Sequence, residues 1–333
     1  MRRPLSRPLT AAAFVVVFLG AAWFTGCDLS MLWSRKSHLL DIVSEMIPPE
    51  WSFAGKVLPL LWTTVQMSVT GTVLGIFFAL VLSPFGAANL GFPAVIRRIL
   101  RIVIQILRSF PALILALTAT FLVGLGTFAG TFAITLYTFA IMTKLTYEDA
   151  SAADVKAYQA LRAMGVSKYV AYIHGILPEI IPGFLTNALY LLETNVRHSS
   201  ILGYVGAGGI GLLLNEKISW LEYDKVGTIL LMLFLTVCVI EYFSRYLAAL
   251  IRKEHTIKKE QARLLLLFLA ALFLICTFTL SLPDFSKTSP QTLRNMFAGS
   301  LQPDWSFFFS AEKDGLGYLL LETVSIAFIG TVI

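Results

Sequence analysis

The chain has 333 residues, 57% of them hydrophobic, 14% charged and 13% aromatic, with a mean hydropathy of +0.76 and a formal charge of +6. Soluble domains are about 45–50% apolar and about 25% charged, so these values exclude a water-soluble globular enzyme. The 25 Phe, 11 Tyr and 6 Trp exclude a disordered chain, and Cys27, Cys238 and Cys276 are too scattered for a disulfide framework or a thiolate metal site.

The first apolar run covers residues 9–26, behind Arg2, Arg3 and Arg7. A signal peptide is the alternative there, because Phe24-Thr25-Gly26-Cys27 imitates a lipoprotein cleavage site. Further runs fall near 57–84, 102–123, 127–143, 183–203, 227–250 and 264–281. Each is long enough to cross a hydrocarbon core about 30 Å thick at about 1.5 Å per residue. The runs are continuous rather than alternating, which predicts an all-α polytopic transmembrane bundle and argues against a barrel.

With the N-terminus in the cytoplasm, alternation puts Arg97, Arg98, Arg101, Arg108, Lys144, Lys156, Arg162, Lys168, Arg245, Arg252, Lys253, Lys258, Lys259 and Arg263 inside. The outer side receives Arg35, Lys36, Lys56, Lys217, Lys225, Lys287, Arg294 and Lys313. That asymmetry is the positive-inside pattern, so the basic balance needs no nucleic acid.

Part of the sequence repeats. Pro49-Glu50-Trp51-Ser52-Phe53 returns as Pro303-Asp304-Trp305-Ser306-Phe307, Phe24-Thr25 as Phe278-Thr279, and the stretch Thr64 to Val73 as Thr323 to Val332. This order predicts an N-terminal span with an outer segment at 1–55, a complete unit at 56–255 and the start of a second copy at 256–333. Ile333 then falls inside a span, so the chain is expected to be a fragment of a roughly doubled protein or the product of a broken frame.

The most polar interior stretch, 147–178, contains Gln159-Ala160-Leu161-Arg162-Ala163-Met164-Gly165 and then Leu177-Pro178. It reads as a short helix, a glycine turn, a second short helix and a proline before the next span. On composition alone it is an interfacial loop. Its pattern resembles the coupling-helix signature of ABC importer permeases: Glu-Ala-Ala, three residues, Gly, nine residues, Ile, any residue, Leu-Pro. Ala160, Gly165, Leu177 and Pro178 match, whereas Gln159, Leu161 and Gly175 stand where that signature has Glu, Ala and Ile. The resemblance implies that this segment docks on a cytoplasmic ATP-hydrolysing subunit.

Neighbouring motifs narrow the family. Leu107-Arg108-Ser109-Phe110-Pro111-Ala112-Leu113 is similar to the Leu-Arg-Gly-Ile-Pro-Glu-Leu segment of phosphonate-uptake (PhnE-type) permeases. Glu193-Thr194-Asn195-Val196-Arg197, followed by Val205-Gly206-Ala207-Gly208-Gly209-Ile210-Gly211, resembles another block of that family. The likeness runs from about residue 55 to 252, and methionine-uptake permeases share parts of it. It implies a MetI-like fold in the bacterial inner membrane, surrounded by lipid, and a permease that is not itself an enzyme. It further implies a periplasmic substrate-binding protein, cytoplasmic ABC ATPase subunits, and a second permease unit as a homodimer or fused repeat. The cargo implied is a phosphonate or related phosphorus oxyanion, with methionine and phosphate or phosphite as alternatives; an integral-membrane enzyme is the alternative of another class. ATP is assigned to the partner, since the chain has no Gly-x-x-x-x-Gly-Lys-Ser/Thr loop, and no cofactor is expected in the permease.

Glu193 and Arg197 are four apart on one helix face and can pair. Two readings stand: a neutralising structural pair, or a translocation pathway in which Arg197, with Asn195 and His198, offers donors to an anion. Gly206, Gly208, Gly209 and Gly211 satisfy a Gly-x-Gly-x-x-Gly fingerprint, but without a βαβ context they read as backbone flexibility at an outer gate or as close helix packing. The four histidines are too dispersed for a metal site.

Overall fold

The computed structural model describes residues 7–26, 29–252, 271–280 and 315–332, together with Leu267, Ala298 and Ser306. Among these residues there is helix and no strand. Packing divides the chain into two units, one of Met1–Ser44 with Leu293–Ile333 and one of Glu45–Thr292. The sequence boundaries at 55 and 255 follow the repeat; these follow which helices touch.

In the smaller unit the apolar run at 9–26 forms helix α1 (Arg7–Phe24), followed by α2 (Leu29–Ser34) and α3 (Lys36–Glu45). In the larger unit a short 3-10 turn at Trp51–Phe53 leads into α4 (Ala54–Gly86). Its 33 residues span about 50 Å at about 1.5 Å per residue. The middle of α4 carries Gly71 and Gly75, and both lie hard against α7 (Thr127–Ala152). A Cβ on Gly71 would sit 2.8 Å from Ile134 Cβ, and one on Gly75 2.7 Å from Thr138 Cβ. Small residues four apart let two backbones approach where lipid supplies no hydrophobic drive.

The run at 102–123 is not one continuous helix. It breaks at Ser109–Pro111 into α5 (Ala94–Ser109) and α6 (Ala112–Val123), which meet at 97°. Pro111 has no N–H and its ring disfavours helical backbone in the residue before it; Phe110 is accordingly extended, with φ −84° and ψ 126°. Helix α5 is amphipathic in the inverse sense of a soluble protein. Val95, Ile99, Ile102, Val103 and Ile106 are exposed, whereas the Arg101 side chain turns inward and donates to the Gly86 carbonyl at 3.0 Å.

After α7 come α8 (Lys156–Ala163), α9 (Lys168–Gly175) and α10 (Leu177–Leu202). A 3-10 turn, Gly203–Val205, and a glycine-rich loop lead to α11 (Ile210–Ser219) and α12 (Tyr223–Ile251). Among the described residues, Trp51–Gly86, Thr127–Ala152 and Tyr223–Ile251 are each long and apolar enough to cross a membrane, and the bent pairs α5/α6 and α9/α10 also pass that test when each is taken as one span. Of the run near 264–281, Leu267 and residues 271–280 are described, with 271–278 helical.

Back in the smaller unit, Leu316–Val332 forms α13. It packs on α1, with the Phe14 and Phe328 rings 5.5 Å apart and the Phe24 and Tyr318 rings 4.9 Å apart. The repeated Thr64 to Val73 and Thr323 to Val332 segments are thus helical in both copies, in α4 and α13. Of the second Trp-Ser-Phe copy only Ser306 lies within the described residues.

The start of α4 packs Val57 and Leu61 with Ile210, Leu214, Val226 and Ile229. The loop after its other end packs Ala87 and Leu90 with Tyr158, Tyr172 and Ile176. The glycine block and the α8–α9 elbow therefore occupy opposite ends of the α4 body.

Candidate functional site

The polar stretch forms the helix, glycine, helix arrangement that its composition predicts. Gly165 makes the turn at φ +85° with open space around it, a conformation that costs an L side chain roughly 1–2 kcal/mol. The Arg162 guanidinium donates to the Val166 carbonyl across this turn, and Ser167 caps α9 by accepting from the Val170 N–H. Gln159, Ala160, Met164 and Gly165 are exposed, with Met164 70% accessible. Leu177 packs into the cluster beneath them, and Pro178 sits in the first turn of α10, where its missing N–H costs nothing.

Gly175, the departure from the Ile of the coupling signature, has a local reason. A Cβ there would lie 2.8 Å from the Tyr158 backbone nitrogen, so α8 and α9 cross too closely for a side chain. The elbow is tied to the loop after α4: Tyr158 Oη donates to the Leu90 carbonyl at 2.6 Å, and the Lys168 ammonium donates to that of Gly91. Burial pushes the Tyr158 phenol above its ordinary range. Hydrogen bonds from the Lys156 backbone and side chain hold the Asp154 carboxyl below its own.

Glu193, Asn195 and Arg197 do not gather on one face. Arg197 is half exposed, pairs with Glu193 one turn back, and lies 3.9 Å from Glu241 of α12, which also pairs with Arg245. Asn195 is 1% exposed and faces the interior. Its Nδ2 donates to Thr72 Oγ1 and Thr138 Oγ1, each at 2.8 Å, and beside it the Ser68 and Ser199 hydroxyls are 2.9 Å apart. These bonds tie α4, α7 and α10 together. The spacing already carried this signal, because residues two apart on a helix point to nearly opposite sides.

At the other end Gly206, Gly208 and Gly209 have φ of +79°, +79° and +76°, and the Ile210 N–H donates to Thr64 Oγ1 at 2.9 Å. A Cβ on Gly211 would sit 1.9 Å from the Ser200 carbonyl oxygen, and one on Gly203 2.4 Å from the Leu212 nitrogen. The block follows helix α10 rather than a strand, so the dinucleotide fingerprint lacks the fold it needs. Among the described residues no group of three His, Cys, Asp or Glu is placed to hold a metal ion.

The sequence reading quoted the Leu107 to Leu113 motif and named His198, but did not bring them together in the cleft at the α5–α6 break. It measures about 420 Å³ and is lined by Arg108, Ser109, Phe110, Pro111, Tyr137 and His198, with the Tyr137 and His198 rings edge to face at 5.4 Å. A cation followed by a proline within an apolar run was the available signal.

A family model for the inner membrane component of binding-protein-dependent transport systems matches residues 71–253, which include the elbow, the buried Asn195 hub and the glycine block. The chain belongs to this family. The chain is 31% identical over 236 residues to the phosphite transport system permease PtxC of Stutzerimonas stutzeri, covering 70% of this chain and 85% of that one. Against the phosphate-import permease PhnE of Mycolicibacterium smegmatis it is 32% identical over 209 residues, covering 62% and 39% respectively. It also superposes on a chain of the inward-facing MetNI methionine ABC transporter with a TM-score of 0.54, 21% identity and coverage of 61% of this chain and 99% of that one; this likeness shows the MetI-type permease fold. As a family member the chain is an inner-membrane transport permease and not an enzyme, and membership implies a substrate-binding protein and an ATPase subunit as partners.

Proposed function

We propose that this permease imports a phosphorus oxyanion, phosphonate or phosphite, in an ABC transporter. The observation that carries the reading is the α8–Gly165–α9 elbow, which displays Gln159, Ala160 and Met164 at one end of the spans in a chain whose relatives are named for phosphite and phosphate transport. The elbow faces the cytoplasm and docks on a separate ATPase subunit that binds the ATP, and the permease needs no cofactor of its own. The N-terminus is cytoplasmic, a periplasmic binding protein delivers cargo at the glycine end, and Gly206, Gly208, Gly209 and Gly211 form the outer gate. A second permease unit completes the pathway.

The geometry favours the structural reading of Glu193 and Arg197, because the carboxylates of Glu193 and Glu241 flank that guanidinium. Asn195 acts as a staple between spans. The test is uptake of labelled phosphite and methylphosphonate in cells lacking their own importers, with the chain expressed beside its ATPase and binding protein. Uptake abolished by Gly165→Trp at unchanged membrane abundance supports the reading. Uptake of methionine in place of either oxyanion would overturn it.

A further inference from the structure

The geometry points to the cleft at the α5–α6 break as an oxyanion subsite of the translocation pathway, with Arg108 and Tyr137 as its donors and the His198 ring in its wall. The inference deepens the reading of the chain as a phosphorus-oxyanion permease and rests on it for the identity of the cargo.

Two unused donors meet there. Arg197 and Arg245 have carboxylate partners and Arg101 a carbonyl, but Arg108 has no hydrogen bond or ion pair among the described residues. The Tyr137 hydroxyl likewise has no acceptor among them, and the His198 ring packs edge to face on Tyr137 in the cleft wall. No carboxylate lines the cleft. A guanidinium within an apolar span is costly unless it meets water or an anion, and its planar fork matches the paired oxygens of a phosphorus oxyanion. The volume of about 420 Å³ falls within the range of about 300–1,000 Å³ usual for small-ligand sites.

A phospholipid headgroup is the other source of the same chemistry, and the test below separates it from the cargo. Tyr137 lies ten residues inside α7, which starts at Thr127, or about 15 Å along that helix. Helix α6 has 12 residues between the break and its glycine turn, about 18 Å. Both lengths, counted from the glycine end, set Tyr137 and the break well inside their helices rather than at that end. The cleft exists because Pro111 breaks the helix just after Arg108, so the cation is presented at the bend rather than along a continuous helix.

The test binds inorganic phosphite to the full chain in maltoside micelles without its partners, read by phosphorus NMR line broadening, with phospholipid quantified in the same samples. Wild type should broaden phosphite at millimolar concentration. Arg108→Gln should weaken the effect by about tenfold or more, Arg108→Lys should do so partially, and Arg98→Gln, on an exposed part of α5 outside the cleft, should leave it intact. No broadening by wild type, or equal broadening by Arg108→Gln, overturns the subsite. Phospholipid that co-purifies with wild type and is lost in Arg108→Gln also overturns it, in favour of a headgroup site. Because this measurement does not depend on transport, Arg108-dependent binding in a chain that fails to import phosphite would sustain the subsite while the importer reading falls.

Discussion

The two ends of the α4 body are held by different physics. At the elbow end side chains reach across to backbone carbonyls: Tyr158 to Leu90, Lys168 to Gly91, Arg101 to Gly86. At the glycine end backbone lies directly against backbone, as where Gly211 meets the Ser200 carbonyl and Gly203 meets Leu212. A side-chain tether can lose one bond and keep its neighbours. A backbone contact has no such slack, since any added atom must displace a helix. Apart from the close α8–α9 crossing at Gly175, the elbow end is therefore the more forgiving one, and the glycine end tolerates almost no added volume.

Gly211→Ala should show the largest effect. It forces a Cβ to within 1.9 Å of the Ser200 oxygen, and overpacking costs about 1–3 kcal/mol even where side chains can shift. The thermal midpoint of the solubilised protein should fall sharply, and uptake with it. Between the ends, Asn195→Ala removes both hydrogen bonds to Thr72 and Thr138, with an expected loss of about 1–3 kcal/mol; denaturant titration would measure it.

Tyr158→Phe sharpens the contrast from the elbow side. It removes one hydrogen bond to the Leu90 carbonyl, worth about 1 kcal/mol, and should reduce coupled ATP hydrolysis more than it shifts the midpoint. Were Tyr158→Phe to unfold earlier than Gly211→Ala, the proposed difference between the ends would collapse.

The smallest effect concerns pH at the glycine end. Glu222 accepts from Lys225 at 2.7 Å and pairs with Lys217 at 2.9 Å, and these partners hold its carboxyl below the ordinary 4.5. A depressed carboxyl stabilises the fold above its unfolded value and loses that contribution as pH falls through the folded one. The thermal midpoint should accordingly decline below about pH 4.5, and Glu222→Gln should lower it at neutral pH and flatten that part of the profile.

Much of this was legible in the sequence. Long apolar runs announce spans because a bilayer demands them locally, and the Gly165 elbow follows from a polar stretch punctuated by glycine and bounded by Pro178. The motif resemblance agreed with the family to which the chain belongs. The run at 102–123 misled because hydropathy counts apolar residues without asking whether the backbone continues through Pro111.

Sequence by itself determined the elements: which stretches are helical, where glycine and proline interrupt them, and which family carries such blocks. Only the tertiary structure decided which faces meet. It turned Asn195 to the hydroxyls of Thr72 and Thr138, gave Arg197 the carboxylate of Glu241 from another helix, and left Arg108 facing a cleft with Tyr137 and His198. Helix periodicity is fixed by neighbours a few positions away, whereas a buried polar group finds its partner across tens or hundreds of residues, through the packing that brings distant helices together.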